Sequence, residues 1–171
     1  MSENQVKKAF LSIGSNLGNK INNIEKAKFF LNSSKSVKIL KVSSYYKTAS
    51  WPDQSKPFFL NIVIQISTTF DPLNLFNFIK KIEKFLGRKK TRKNHPRTCD
   101  IDILDYDQKK IYLKFKENNL VIPHPRLHNR NFVLLPLFEI SKRWKHPLLG
   151  AKITELIKSI GLDNLRSIKL L

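Results

Sequence analysis

"DPLNLFNFIKKIEKFLG", residues 71–87, is the stretch on which the fold turns. Asp71 can accept a hydrogen bond from a free backbone N–H at a helix start. Pro72 suits the first turn, because the N–H it lacks would have no partner there. Leu75, Ile79, Ile82 and Leu86 then recur at three- and four-residue spacing as one apolar stripe, and Gly87 closes the helix. The flanking residues abandon that period. Before the helix, "FFLNIVIQIS" (58–67) is β-branched and aromatic; after it, "CDIDILDY" (99–106) alternates. The stretch therefore predicts a helix set between two strands.

Working outward, residues 6–13 read as a strand ending in a Gly-Ser-Asn turn. Ile21, Ile24, Ala27 and Leu31 fall at helical spacing and predict a helix over about 19–32. "VKILKVSSYY" (37–46) alternates as one further strand. The order is β-α-β-β-α-β, the ferredoxin-like α+β arrangement of an antiparallel sheet with helices packed on it. "NRNFVLLPLFEIS" (129–141) and "KITELIKSIG" (152–161) predict a C-terminal helical extension. With no linker, internal repeat or low-complexity tract, residues 1–171 read as a single domain long enough to bury a core.

Lys and Arg number 32 against 13 acidic residues, a net charge of +19, which implies attraction to anions without choosing among nucleic acid, membrane surface and phosphorylated small molecules. Cys99 is the only cysteine, so an intrachain disulfide and a cysteine-rich zinc site are both excluded. The polar start "MSENQVKK" lacks the apolar centre of a signal peptide, and the run "FVLLPLF" is far too short to span a bilayer. The expectation is a soluble cytoplasmic protein with no membrane partner.

The candidate chemistry concentrates in residues 80–107. Residues 80–97 hold nine cations and one acidic residue, and Asp100 and Asp102 follow on a predicted strand. Residues two apart on a strand share a face, roughly 6–7 Å apart. Such a pair can hold one or two hard cations such as Mg²⁺. The bland alternative is a solvated strand face neutralising a basic loop. Cations leading into carboxylates suit a metal-bound polyphosphate better than a nucleic-acid backbone, which the carboxylates would repel. Asp105 and Asp107 read as turn residues beyond the pair. "GSNLGNK" (14–20) lacks the spacing of a phosphate-binding P-loop and reads as a turn feeding a helix. His124 lies between two prolines, either a packed loop histidine or a phosphate donor. Phe58, Phe59, Asn61 and Phe132 are either core residues or the walls and polar reader of a flat heterocycle.

The ordered blocks "IGSNLGN", "VSSYYKT", "FLN", "EKFLGR", "PRTCDIDIL" and "IPHPRLHNRNFVLLPLFEI" resemble the 6-hydroxymethyl-7,8-dihydropterin pyrophosphokinases of folate biosynthesis. The resemblance implies transfer of diphosphate from ATP to a pterin hydroxymethyl group, leaving AMP, by a monomer using two Mg²⁺ ions. By that likeness Asp100 and Asp102 are the metal ligands, and Arg97 lies nearest the join of the two substrates. Thr48, Phe59, Asn61 and Phe132 fall on the pterin positions; Glu83, Arg88, Lys93, Arg97, His124 and Arg130 fall on the ATP positions. Lys93 stands where an Arg is usual, and Phe59 where a Tyr is frequent. The rival from another class is a basic nucleic-acid-binding module on the same fold, although the aromatic signature of an RNA-recognition sheet is absent.

Overall fold

A computed structural model describes residues 5–50, 53–88, 95–115 and 118–171. The helix that set the prediction is α2, Pro72–Phe85: Asp71 accepts from Asn74 N at 2.8 Å, and Leu75, Ile79 and Ile82 are buried. Gly87 follows at φ +83°, where a side chain would be strained. On its two sides lie β4, Phe59–Thr68, and β5, Asp100–Tyr106. The first strand and helix are β1, Lys7–Ser15, and α1, Lys20–Asn32, the latter capped by Asn19 accepting from Asn22 N at 3.0 Å.

The expected strand over 37–46 is instead two short ones, β2 (Val37–Val42) and β3 (Tyr46–Thr48), both antiparallel to β4. The break has a local cause. Ser43 N donates to Val63 O at 2.9 Å and Ser43 Oγ accepts from Val63 N at 3.0 Å, so a side chain replaces a ladder bond where the edge bends. The sheet runs β5-β1-β4, with β2 and β3 sharing the far edge of β4 and β8 (Lys169–Leu170) adding to β3. β1 is antiparallel to both neighbours. This is the predicted ferredoxin-like order.

Two features lay beyond the sequence reading. β6 (Ile111–Phe115) and β7 (Asn118–Ile122) form a separate hairpin. After α3 (Asn131–Ile140) and α4 (Ile153–Ser159), the chain adds a short α5 (Leu162–Arg166) before β8.

The alternation of β1 divides the protein into two cores. Ala9, Leu11 and Ile13 face α1 and α2 together with Leu60, Ile62, Ile64 and Ile66 of β4, all nearly or fully buried. Each such aliphatic side chain contributes about 2 kcal/mol. Phe10, Val63 and Leu104 face the other way, against Val133, Leu134 and Leu137 of α3 and Ile153 and Leu156 of α4. The C-terminal helices thus cover one end of the second sheet face. The other end of that face carries Ser12, Gly14, Asn61, Asp100 and Asp102, and is where the site forms.

Asp105 corrects its reading as a turn residue. It is 2% exposed and accepts from Trp144 Nε1 at 2.8 Å and Gln108 N at 3.0 Å, while burial raises its carboxyl pKa. It ties β5 to the segment between α3 and α4. Asp107 remains at the surface, 3.3 Å from Lys7 Nζ.

Candidate active site

Asp100 and Asp102 project from one face of β5, while Ile101 and Ile103 on the other face are 1% and 5% exposed. The expected pair is therefore on the open face, with 24% and 31% of the two side chains still accessible. Each carboxylate has its own partners. Asp100 accepts from Arg88 Nη1 at 2.7 Å and from Arg97 Nη1 at 2.8 Å. Burial pushes its carboxyl pKa up, but the Arg88 and Arg97 guanidiniums outweigh that and hold it below the usual carboxylate range. Asp102 Oδ2 lies 3.4 Å from Arg130 Nη1 and 3.7 Å from His124 Nε2.

Glu83 sits beneath this cluster rather than in it. At 2% exposure it accepts from Ile101 N at 2.7 Å and from Lys80 Nζ at 2.9 and 3.0 Å, with Arg88 Nη1 at 2.5 Å. Burial raises its pKa, with Lys80, the Ile101 N–H and Arg88 opposing. One buried carboxylate so fastens α2 to β5 and aims Arg88 at Asp100. Lys80 was not foreseen as part of the site, although its spacing to Glu83 on one helix face is the signal that identifies it.

His124 is neutral near pH 7. Burial lowers its pKa, and Arg130 and Arg126 add to that against the pull of Asp102. Its Nδ1 accepts from Arg126 N at 3.1 Å, which leaves the ring proton on Nε2, the nitrogen facing Asp102. Arg130 also lies over the Phe132 ring, 5.4 Å from its centre. Phe132, at the start of α3, packs against the second core.

The remaining predicted residues meet on the neighbouring strands. Asn61 Nδ2 donates to Thr48 Oγ1 at 3.0 Å, joining β4 to β3; the two residues are 4% and 8% exposed. Gly14 of β1 pairs with Asn61 on one side and Asp100 on the other. A Cβ at Gly14 would stand 2.8 Å from Asn61 Oδ1 and 3.7 Å from the Phe59 ring. Glycine at this point keeps open the space between the amide and the carboxylates. Lys93, expected among the ATP positions, lies outside the described residues.

Among the described residues no group of three or more His, Cys, Asp or Glu side chains converges on a metal position. Two carboxylates alone fit Mg²⁺ nonetheless, since that ion keeps several waters and takes substrate phosphate oxygens as ligands. Ionised Asp100 and part-exposed Asp102 would supply the protein's share, and Arg88, Arg97, His124 and Arg130 would surround the place where phosphate oxygens sit.

Fold and site together define an α+β protein with a cluster of carboxylates and cations beside the buried polar pair Thr48 and Asn61. The chain belongs to the 7,8-dihydro-6-hydroxymethylpterin-pyrophosphokinase (HPPK) family, whose pattern its residues 10–142 match. It is 36% identical over 137 residues to the 2-amino-4-hydroxy-6-hydroxymethyldihydropteridine pyrophosphokinase of Bacillus subtilis, covering 79% of this chain and 78% of that one. It is 35% identical over 153 residues to the protein of the same name from Haemophilus influenzae, covering 90% and 92%. A third relative, folic acid synthesis protein fol1 of Pneumocystis carinii, is 37% identical over 93% of this chain, yet the match spans only 21% of fol1. Among solved structures, Plasmodium falciparum HPPK-DHPS superposes with a TM-score of 0.79 at 17% identity, covering 99% of this chain and 46% of that one, which speaks to the fold.

Proposed function

We propose that this chain transfers diphosphate from ATP to the hydroxymethyl group of 6-hydroxymethyl-7,8-dihydropterin, releasing AMP, as a step of folate biosynthesis. One observation carries the reading: Asn61, Gly14 and Asp100 stand in a row across three adjacent strands, so a heterocycle reader and a phosphate-binding cluster are neighbours on one face.

In the reaction the pterin oxygen forms a bond to the β-phosphorus, the bond from that phosphorus to the α–β bridging oxygen breaks, and the hydroxymethyl proton passes to solvent. Asp100 and Asp102 would hold two Mg²⁺ ions, which when bound would supply charge neutralisation on the phosphate oxygens. The protein's own part is orientation and electrostatics. Asn61, fixed by Thr48, reads the polar edge of the pterin between Phe59 and Phe132. Arg97 lies at the join of the substrates, Arg88 and Arg130 bind phosphate oxygens, and neutral His124 donates from Nε2. Glu83 acts through Arg88. The reading takes a monomer working in the cytoplasm; among the described residues no helix is long and apolar enough to cross a membrane.

Incubation with ATP, Mg²⁺ and the hydroxymethyl pterin tests the reading directly: AMP and pterin diphosphate should appear in equal amounts. ADP as product, or no turnover, overturns it. The nucleic-acid alternative has no support, because the sheet face such a module would offer carries Asp100 and Asp102 at one end and is covered by α3 at the other.

Two substitutions divide the site. Asn61→Ala should raise the KM for the pterin by about 100-fold and leave the KM for ATP nearly unchanged, since a site built to pair a polar edge loses heavily when one partner goes. An equal rise in both constants would make Asn61 structural. Arg97→Lys keeps the charge but loses the planar fork, and kcat should fall at least about tenfold. A silent Arg97→Lys would remove Arg97 from the join.

A further inference from the structure

The Gly-Ser-Asn turn after β1 contains a side chain that the reaction just described does not use. Asn16 is 2% exposed. Its Oδ1 accepts from Arg97 N at 2.8 Å, and its own backbone N donates to Arg97 O at 3.2 Å, so Arg97 is gripped by both of its backbone polar groups. Its Nδ2 donates at 3.3 Å to both Ser50 Oγ and Pro57 O. Ser50, 4% exposed, donates in turn to Pro57 O at 2.6 Å.

We propose that Asn16 is a positioning residue for diphosphate transfer: it fixes the backbone of Arg97 and ties it to Ser50 and Pro57, between β3 and β4. This rests on the function proposed above. Three separate segments converge on one planar amide: the β1–α1 turn, Ser50 and Pro57 between β3 and β4, and the stretch leading into β5. Only an amide fits. The Arg97 N–H needs an acceptor, and the Ser50 oxygen, whose proton goes to the Pro57 carbonyl, can take a donor; the two are met by opposite ends of one rigid group. A carboxylate lacks the donor, a hydroxyl lacks the reach, and an apolar residue leaves buried polar groups without partners. The consequence falls on the guanidinium. Arg97 Nη1 bonds Asp100 Oδ2 at 2.8 Å, so a backbone free to shift at residue 97 would move the cation relative to the carboxylate pair. A displacement of about 1 Å at a reacting centre can cost on the order of 100-fold in rate.

The test combines kinetics with amide exchange. In Asn16→Ala, kcat should fall on the order of 100-fold with both KM values within a few-fold of the parent. A double-mutant cycle with Arg97→Lys should be strongly non-additive: once Asn16 is gone, Arg97→Lys should cost about twofold or less, because the fork is already out of place. A purely structural Asn16 would give additive losses. Independently of activity, the Arg97 amide of the full chain should be protected from hydrogen exchange in the parent, unprotected in Asn16→Ala, and still protected in Asn16→Asp, which keeps the acceptor and the shape. That last readout holds even if the chain acts on another substrate, so it separates failure of the tether from failure of the proposed reaction. Additive kinetics, or an Arg97 amide equally protected in Asn16→Ala, overturns the proposal.

Discussion

Asp102→Ala is expected to lower kcat by about 1,000-fold while the protein stays folded. The two halves of that expectation have separate physical causes. Asp102 lies on the open face of β5, 31% exposed, with Arg130 Nη1 at 3.4 Å and His124 Nε2 at 3.7 Å. Neither contact is a tight hydrogen bond, so their loss should change stability by less than about 1 kcal/mol. Catalysis is another matter. On the proposed reaction, one of two carboxylates would disappear from the metal position, and Arg130 would then face the polyphosphate without the charge that balances it. Steady-state turnover at saturating Mg²⁺, beside a thermal melt, decides it. Turnover near the parent's would remove the carboxylate pair from the chemistry, and a collapsed melt would show that Asp102 serves the fold instead.

Glu83→Ala reverses the emphasis. Its carboxylate is buried at 2% exposure and joins Lys80, Arg88 and the Ile101 N–H. Truncation leaves a buried N–H and two cations without their partner, at a cost of about 3–5 kcal/mol. For a domain of this size that lowers Tm by about 10 °C. Arg88 also loses the group that aims it at Asp100, so the KM for ATP should rise at temperatures where the variant is still folded. Glu83→Gln keeps an acceptor for Ile101 N and should melt between the two. An alanine variant that melts within about 2 °C of the parent would disprove the buried link between α2 and β5.

The fold was legible wherever a single segment carried its own period. α2 announced itself by cap, stripe and terminal glycine, and β4 and β5 by composition and alternation. The split of β2 from β3 was not legible, because it depends on Ser43 meeting Val63 across the sheet. The hairpin of β6 and β7 is short and rich in Lys and Asn, so its alternation was overlooked. The carboxylate pair could be read because its two members are neighbours in sequence. Asn16 could not, since its partner Arg97 is 81 residues away and a Gly-Ser-Asn run looks like any turn. Asp105 was misread for the same reason: the indole that buries it, Trp144, lies 39 residues further on. Local pattern finds elements and adjacent ligands, whereas side chains whose role is to join distant segments emerge only when those segments meet.

The alternation of β1 has a consequence for how this protein can change. Ala9, Leu11 and Ile13 answer to the helices beneath the sheet, whereas Ser12 and Gly14 lie on the site face. From residue 11 to residue 14 neighbouring codons are thus under unrelated demands, and the parity of a residue number says which one applies; Phe10, though even, serves the second core. A saturation library across residues 11–14 should sort accordingly: odd positions should admit apolar replacements of similar volume and be scored by melting temperature. Gly14 should admit almost nothing and be scored by turnover. Drift in the odd set can retune thermal tolerance while the reaction chemistry is inherited intact through the even set.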